Sequence, residues 1–248
     1  MESVFHLHLR SQAFEVDEKG QNQWVTRLED REIPAEKICI VLCDMWDGHW
    51  SRGAVERVNA MAPQMNEVVV AARQKGAKII HAPSETLDFY AGSPARARML
   101  AIPEVTLPRN RRLRNPRLPI DDSDGGSDTG EKPWYQAWTR QHPAIVIDEE
   151  RDGISDDGKE IYSFLRNHGI AFLLIMGVHT NMCVLHRSFG IKQMVRWGVP
   201  VALVRDLTDT MYNPAMRPYV SHTEGTQLVV AYIEKFWCST IASSDLSG

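Results

Sequence analysis

Three uninterrupted apolar runs constrain the fold of this chain more than any other feature of its sequence. They read KICIVLC (37–43), IAFLLIMG (170–177) and VPVALV (199–204), and amphipathic segments lie between them. Runs without polar alternation are typical of strands that are covered on both faces, as in a parallel sheet. We therefore predict an α/β fold, a three-layer Rossmann-like sandwich around a mostly parallel six-stranded sheet.

The intervening segments have the spacing of amphipathic helices. Apolar residues recur at near-helical intervals in 53–76, and further helices are predicted over 156–169 and 183–198. A last helix is predicted from Ser221, because Glu224 three residues later completes a capping box. Two shorter apolar runs are also predicted to be strands, AKIIHAP (77–83) and PAIVI (143–147).

The limits of this repeating pattern define the domain organisation. We predict a single domain over 1–248, because a chain of this length with 43% hydrophobic residues supports one sizeable core. Residues 1–36 are an N-terminal extension, in which alternating apolar and polar residues predict a strand or hairpin. Residues 84–143 show no regular pattern and are predicted to be a long inserted loop, either a lid or a subunit-contact arm. We expect a homo-oligomer.

Charge and composition exclude several classes of partner. A net charge of −4 gives no general attraction to nucleic acid or to anionic lipid, and no run of about 18 apolar residues is present. No predicted strand is followed by a GxGxxG turn, which argues against a dinucleotide-binding site. We therefore expect a cytoplasmic protein that acts on a small-molecule substrate, with no nucleic acid and no membrane partner.

Two strand ends carry the polar residues that a site needs. In parallel sheets, ligands bind at the carboxyl ends of the strands, and here these ends read CDMWDGHW, with Asp44, and GVHTNMC, with Cys183. Cys183 lies in the first turn of a predicted helix, where unpaired N–H groups lower the pKa of a thiol and make it a nucleophile. The alternative is a small buried residue at a tight join between strand and helix.

These residues resemble a known family. The segment GVHTNMCV, followed by a helix and combined with a first strand that ends in Asp44, is similar to the isochorismatase-like cysteine hydrolases, which include the nicotinamidases. The similarity covers about 37–237 and implies a six-stranded parallel sheet, with Cys183 as nucleophile and Asp44 as general base. It also implies a cis peptide before His179, which turns the N–H groups of His179 and Cys183 toward one oxygen as an oxyanion hole.

The chain departs from the family where a catalytic lysine should follow the PAIVI strand. Asp148, Glu149 and Glu150 occupy this place. Arg151 or Lys132 could supply the positive charge instead, although a guanidinium cannot relay a proton as lysine can. Alternatively, Asp148 or Glu149 shares a proton with Asp44 and provides one acid of raised pKa, so we include both acids among the candidate catalytic residues.

The resemblance also bears on metal binding. Nicotinamidases hold a divalent ion through residues that follow the second strand, where this chain has Ser84 and Thr86. We therefore predict no metal site of the family type and no cofactor. His49, His81, Glu85 and Asp88 could form an unrelated metal site, but no spacing requires one.

Four further residues are candidates for substrate binding. Trp46 and His49 lie in the loop after the first strand, where aromatic walls favour a pocket, although a subunit contact would have the same composition. Tyr212 and Asn213 follow the last strand of the repeat and should reach the same edge of the sheet. We predict a hydrolase that cleaves an amide-type C–N bond of a small molecule through a thioester. The alternative is a non-catalytic or divergent member that uses the fold for binding or assembly.

Overall fold

The structure is a computed structural model that describes residues 3–132 and 135–247. Eight strands form one sheet: β1 (Val4–Val16), β2 (Asn22–Pro34), β3 (Ile38–Cys43), β4 (Lys78–Ala82), β5 (Gly153–Ile154), β6 (Phe172–Val178), β7 (Val201–Asp209) and β8 (Ser239–Ile241). Their order across the sheet is β2-β1-β8-β7-β6-β3-β4-β5. The six strands from β8 to β5 are parallel, and the β1–β2 hairpin joins β8 in antiparallel orientation.

The predicted α/β class and mostly parallel sheet are confirmed, but the sheet has eight strands rather than six. The two extra strands come from the hairpin, which has 13 residues in each arm and lies within the predicted extension over 1–36. Because β1 also pairs with β8, the hairpin extends the sheet instead of packing on it.

Helices cover both faces of the sheet. They are α1 (Arg52–Lys75), α2 (Pro94–Leu100), α3 (Gly158–Asn167), α4 (Cys183–His186), α5 (Ile191–Arg196), α6 (His222–Phe236) and α7 (Ser244–Ser247), with 3-10 turns at Ala35–Lys37 and Leu87–Tyr90. On one face, α1 buries Met65 and Val69 against Ile40 and Leu174. Apolar residues of α3, α5 and α6 form a second core on the other face. Within the described residues, every helix is too short or too polar to cross a lipid bilayer.

The ends of the long helices follow their sequence signals. Ser51 caps the N-terminus of α1, and Gly76 ends this helix in the left-handed conformation with a φ of 115°. The helix continues through Pro63. At α6, Ser221 and Glu224 form the predicted capping box.

Three predicted elements need correction. The predicted helix over 183–198 is two short helices, α4 and α5, because Arg187 leaves the helical conformation with a ψ of 158°. The predicted strand over 143–147 is a turn in which Ile145 donates its N–H to His142, and the edge strand β5 forms further along the chain. The inserted loop contains α2, which Ser93 caps and Pro94 begins, and which is too short for a visible periodicity.

The site is placed by the strand order. Chain connections run outward in one direction from β3 through β4 to β5, and in the other direction from β6 through β7 to β8. The order therefore reverses between β3 and β6, and a crevice opens at their carboxyl ends. Asp44 follows β3 directly, and the segment from His179 to Cys183 follows β6.

Gly177 allows the close approach of these two strands. It lies in β6 with a φ of 112°, and a Cβ at this position would overlap the backbone of Cys43 in β3. A left-handed backbone at a residue with a side chain and an overlap with a rigid strand are both unfavourable.

We expect Gly177→Ala to lower the free energy of unfolding by about 3 kcal/mol. The matched control is Gly92→Ala, because a Cβ there meets no atom within 4 Å and the backbone is not left-handed. Urea denaturation followed by circular dichroism measures both variants. Equal stabilities of the two variants would contradict the role assigned to Gly177.

Candidate active site

Asp44 is the buried centre of the strand-end crevice. Its side chain is fully buried, and its backbone is left-handed with a φ of 48°. One carboxylate oxygen accepts the backbone N–H of Ser84 at 2.9 Å, and the other accepts Nε of Arg187 at 3.0 Å. Burial raises the pKa of Asp44 above its usual range, while Arg187, the Cys183 thiol and Ser84 act in the opposite direction. A buried carboxylate with these partners is fixed in position.

Arg187 supplies the positive charge that was missing from the sequence pattern. It lies four residues after Cys183, donates its N–H to the Cys183 carbonyl, and also pairs through Nη1 with Glu85 at 3.1 Å. Sequence reasoning missed this residue because it looked for the charge in residues 148–151, directly after the predicted PAIVI strand, where the family's lysine belongs. The spacing of four residues from the cysteine was the available signal, since residues i and i+4 of a helix lie on one face.

Cys183 faces Asp44 and the backbone N–H of His179, and it is partly exposed. The prediction of a lowered thiol pKa needs correction. Burial and the Asp44 charge raise the pKa of Cys183 well above its usual range, and Arg187 and the His179 N–H only partly offset them. In addition, α4 is a single turn, so the stabilisation of an anion that a longer helix provides is not available. The thiol therefore carries its proton at neutral pH.

The segment between β6 and α4 places two backbone N–H groups beside the thiol. The Val178–His179 peptide is cis, and Thr180 donates its N–H to the Asp209 carbonyl at 2.8 Å. Asn181 holds the chain from the other side through hydrogen bonds with the Met211 backbone. In the described part of the chain, the N–H groups of His179 and Cys183 donate to no oxygen. They can therefore both donate to an oxygen of a ligand.

Asp148 and Glu149 have partners away from the thiol. Asp148 pairs with Arg151 at 2.6 Å, and Glu149 accepts hydrogen bonds from Ser93 and from the Ala95 N–H at the start of α2. The turn over 143–147 takes the place of the predicted strand, and both acids lie in the segment between this turn and the edge strand β5. The structure thus does not bring either acid, or Arg151, to Cys183.

An aromatic wall borders the crevice. The Trp46 indole is buried, stacks on Trp138 at 4.2 Å between ring centroids and donates Nε1 to the Ser84 carbonyl. His49 is parallel to Trp138 and meets His179 edge to face at 5.0 Å. Sequence reasoning did not select Trp138, because it lies in the inserted loop without any pattern around it. Trp46, His49 and His179 border a narrow cavity that reaches Asp44.

The inserted loop lies across this edge of the sheet. Asp47 accepts hydrogen bonds from Thr139 and Arg140, which fixes the part of the loop that carries Trp138. Further along, its acidic residues bind the body of the protein, through Asp122 to Asn181 and through Asp128 to Arg57. These hydrogen bonds hold the loop against helix α1 and the segment after β6.

Tyr212 and Asn213 follow β7 but face other partners. Tyr212 is fully buried in the core, and its hydroxyl donates to the Met216 carbonyl at 2.8 Å. Asn213 donates to Asp124 of the inserted loop at 2.8 Å. Neither is among the residues that line the cavity beside Asp44. Both side chains thus organise the loop after β7 rather than face the thiol.

A metal site is not formed by the described residues: none of their His, Cys, Asp and Glu side chains cluster in threes with a geometry that could hold an ion. Ser84 instead donates its N–H to Asp44, and the Thr86 hydroxyl donates to the Pro83 carbonyl. His81 is buried between Gln141 and Asp152. The Thr86 hydroxyl and the His81 ring thus have structural partners, whereas the buried Ser84 hydroxyl has none among the described residues.

Comparison with known proteins agrees with this geometry. Residues 38–216 match the model of the isochorismatase domain. A cysteine hydrolase from Pseudomonas syringae pv. phaseolicola 1448A has a similar fold, with 14% identity, a TM-score of 0.54 and coverage of 87% of this chain and 92% of that one. An isochorismatase from Pseudomonas putida KT2440 is also similar, with 13% identity, a TM-score of 0.51 and coverage of 86% and 91%. No curated protein sequence matches the chain. The family match spans well over half of the chain, which therefore belongs to the isochorismatase family of hydrolases.

Proposed function

We propose that this protein is a cysteine hydrolase that cleaves an amide-type C–N bond of a small molecule through a thioester on Cys183. The observation that carries the proposal is the arrangement around Asp44. This carboxylate faces the thiol of Cys183 and is held from its other side by Arg187 and by the Ser84 N–H. A nucleophile, a positioned base and two backbone donors are the parts that acyl transfer needs.

The first half of the reaction forms the thioester. As Sγ of Cys183 attacks the amide carbon, its proton moves to Asp44, because the raised thiol pKa keeps this proton on sulfur until then. The carbonyl oxygen becomes negative and accepts the N–H groups of His179 and Cys183. Asp44 then gives the proton to the leaving nitrogen, the C–N bond breaks, and ammonia or an amine departs.

The second half releases the acid. A water molecule attacks the thioester carbon while Asp44 accepts one of its protons, and the same two N–H groups hold the oxygen. The C–S bond breaks, the sulfur takes the proton back, and a carboxylic acid leaves. Since Arg187 stays protonated, it stabilises negative charge but moves no proton, and Asp44 carries out every proton transfer alone.

The alternative of a non-catalytic member rested on the missing lysine. Arg187 weakens that argument, because its permanent positive charge lies beside Asp44. The site therefore has a cation although no lysine follows the turn over 143–147. The second ion pair of Arg187, with Glu85, orients the guanidinium from the opposite side. The hydrolase is therefore the better supported of the two functions.

The direct test is ammonia release from a panel of small aliphatic and aromatic primary amides. We expect turnover by the native protein, a loss of at least about 1,000-fold in Cys183→Ala, and an acyl adduct on Cys183 in mass spectra of quenched reactions. Cys238→Ala is the matched control and should retain full activity, since Cys238 lies between α6 and β8, packs against the second core and does not line the cavity beside Asp44. Turnover that survives in Cys183→Ala, or ammonia from none of the amides, would contradict the proposal.

Asp44→Asn should separate thiol acidity from turnover. The Asp44 charge raises the pKa of Cys183, so its removal should shift alkylation of Cys183 by iodoacetamide to lower pH by about one unit. Hydrolysis should fall about 100- to 10,000-fold, because the proposed base is lost. Asp148→Asn is the control and should change neither profile. Slower alkylation in Asp44→Asn at neutral pH would show that Asp44 does not face the thiol as a carboxylate.

Arg187→Gln should move the acidic limb of the kcat/KM profile. The limb reports ionisation of Asp44, and the Arg187 charge lowers the pKa of Asp44, so its removal raises that pKa. The limb should therefore shift to higher pH, by about one to two units. Arg151→Gln is the control, because Arg151 pairs with Asp148 at the surface. An unshifted limb in Arg187→Gln, or an equal shift in Arg151→Gln, would exclude Arg187 from this role.

A further inference from the structure

A cleft separates part of the β1–β2 hairpin from helix α6. Its volume of about 510 Å³ lies within the range of small-ligand pockets. Arg10, Gln12 and Thr26 line it from the hairpin, and side chains within 226–234 line it from α6. None of the lining residues borders the cavity beside Asp44. The cleft is therefore separate from the candidate active site.

The walls of the cleft are held by direct contacts between the hairpin and α6. Trp24 meets Phe14 and Phe236 edge to face, with ring centroids 5.3 and 5.4 Å apart. Phe236 is the last residue of α6, so these rings close one end, and the cleft opens along the earlier turns of the helix. The two walls therefore have a fixed separation.

The one acidic group among the described lining residues is fully engaged. The Glu234 side chain is 2% exposed and accepts Nε of Arg10 at 2.7 Å and Nε2 of Gln12 at 3.0 Å. The Thr240 hydroxyl also donates to it, at 2.7 Å. The charge of Glu234 is thus matched by Arg10, and both of its oxygens are occupied.

Arg205 brings a second guanidinium to the cleft and has no partner for it. It lies in an irregular stretch of β7, where residues 203–208 run alongside only 175–177 of β6, and such irregularities re-aim side chains. Its Nη1 is buried and has no acceptor in the described part of the chain, and the buried hydroxyl of Thr226 also lacks a partner there. Two unpaired polar groups in one cleft are unfavourable unless a ligand pairs with them.

The charges of the cleft favour a ligand with a single negative charge. Arg10 and Glu234 compensate each other, which leaves the charge of Arg205 unmatched among the described lining residues. The planar fork of a guanidinium fits a carboxylate through two parallel hydrogen bonds. The second charge of a phosphate would lie in the same cleft as Glu234 without a cation of its own.

We infer that this cleft is a second ligand site, which binds a small organic carboxylate. The guanidinium of Arg205 and the hydroxyl of Thr226 both donate to the carboxylate oxygens. Val230 and Ala231 line the cleft from α6 and contact the hydrocarbon part of the ligand. The inference does not depend on the proposed hydrolase activity.

Calorimetry with the native protein at neutral pH and constant ionic strength tests the inference. The probes are butyrate and benzoate, with butan-1-ol as the neutral analogue, butylamine as the cationic one, and inorganic phosphate. We expect at least one carboxylate to bind about fivefold or more tightly than phosphate, and the alcohol and the amine to show no saturable binding.

Four variants assign this binding to the cleft. Arg205→Gln should lower the affinity for the carboxylate at least about tenfold, and Thr226→Val should lower it about two- to fivefold. Arg27→Gln is the matched control and should bind as the native protein does, because Arg27 follows Thr26 in β2 and points to the opposite face of the hairpin. Cys183→Ala should also bind normally, which separates the cleft from the thiol.

A fifth variant distinguishes a ligand-binding arginine from a structural one. Arg205→Met keeps the length of the side chain without its charge, and without ligand it should melt at or above the temperature of the native protein, because a buried unpaired charge does not stabilise a fold. A lower melting temperature would show that the guanidinium is structural and would overturn the inference.

Three binding results would also overturn it: no saturable binding of either carboxylate, tighter binding of phosphate, or undiminished carboxylate binding by Arg205→Gln. Ammonia release from amides does not enter this test, so the failure of one proposal leaves the other standing.

Discussion

The ion pair between Asp44 and Arg187 is the interaction on which the rest of the site depends. Asp44 is fully buried, and a carboxylate in such a place is stable only when its charge is matched. The match comes from Arg187, four residues beyond Cys183, so the same short segment supplies the thiol and the cation. Removing the cation would leave Asp44 either protonated, and unable to act as a base, or charged and unpaired. The geometry of Cys183 and the protonation state of Asp44 are thereby coupled.

The long inserted loop is the second constraint. It supplies Trp138 to the aromatic wall, and its Asp122 and Asp128 reach the segment after β6 and helix α1. These contacts connect the inserted loop to helix α1 and to the segment that carries Cys183. Movement of the loop away from this edge of the sheet would therefore break several hydrogen bonds at once.

Much of the fold follows from local pattern. The strands β3, β4, β6 and β7 and the helices α1, α3 and α6 lie close to their predicted places, because uninterrupted apolar runs and amphipathic spacing are both clear local patterns. The errors fall where periodicity is weak. Residues 143–147 have the composition of a strand but form a turn, and the four residues after α4 divide the predicted helix over 183–198 into two. Short elements such as α2 depend on caps rather than on period.

The sequence by itself determined the class of fold and the edge of the sheet at which Asp44 and Cys183 meet, since strand ends of a parallel sheet lie at the same edge. It did not determine which charge completes the pair. Arg187 follows Cys183 by four residues, whereas Asp148 and Glu149 occupy the place of the family's lysine. Asp148 pairs with Arg151, whereas Arg187, one helical turn beyond Cys183, contacts Asp44. Only the tertiary structure decided between them, because a charge acts through distance in space and not through position along the chain.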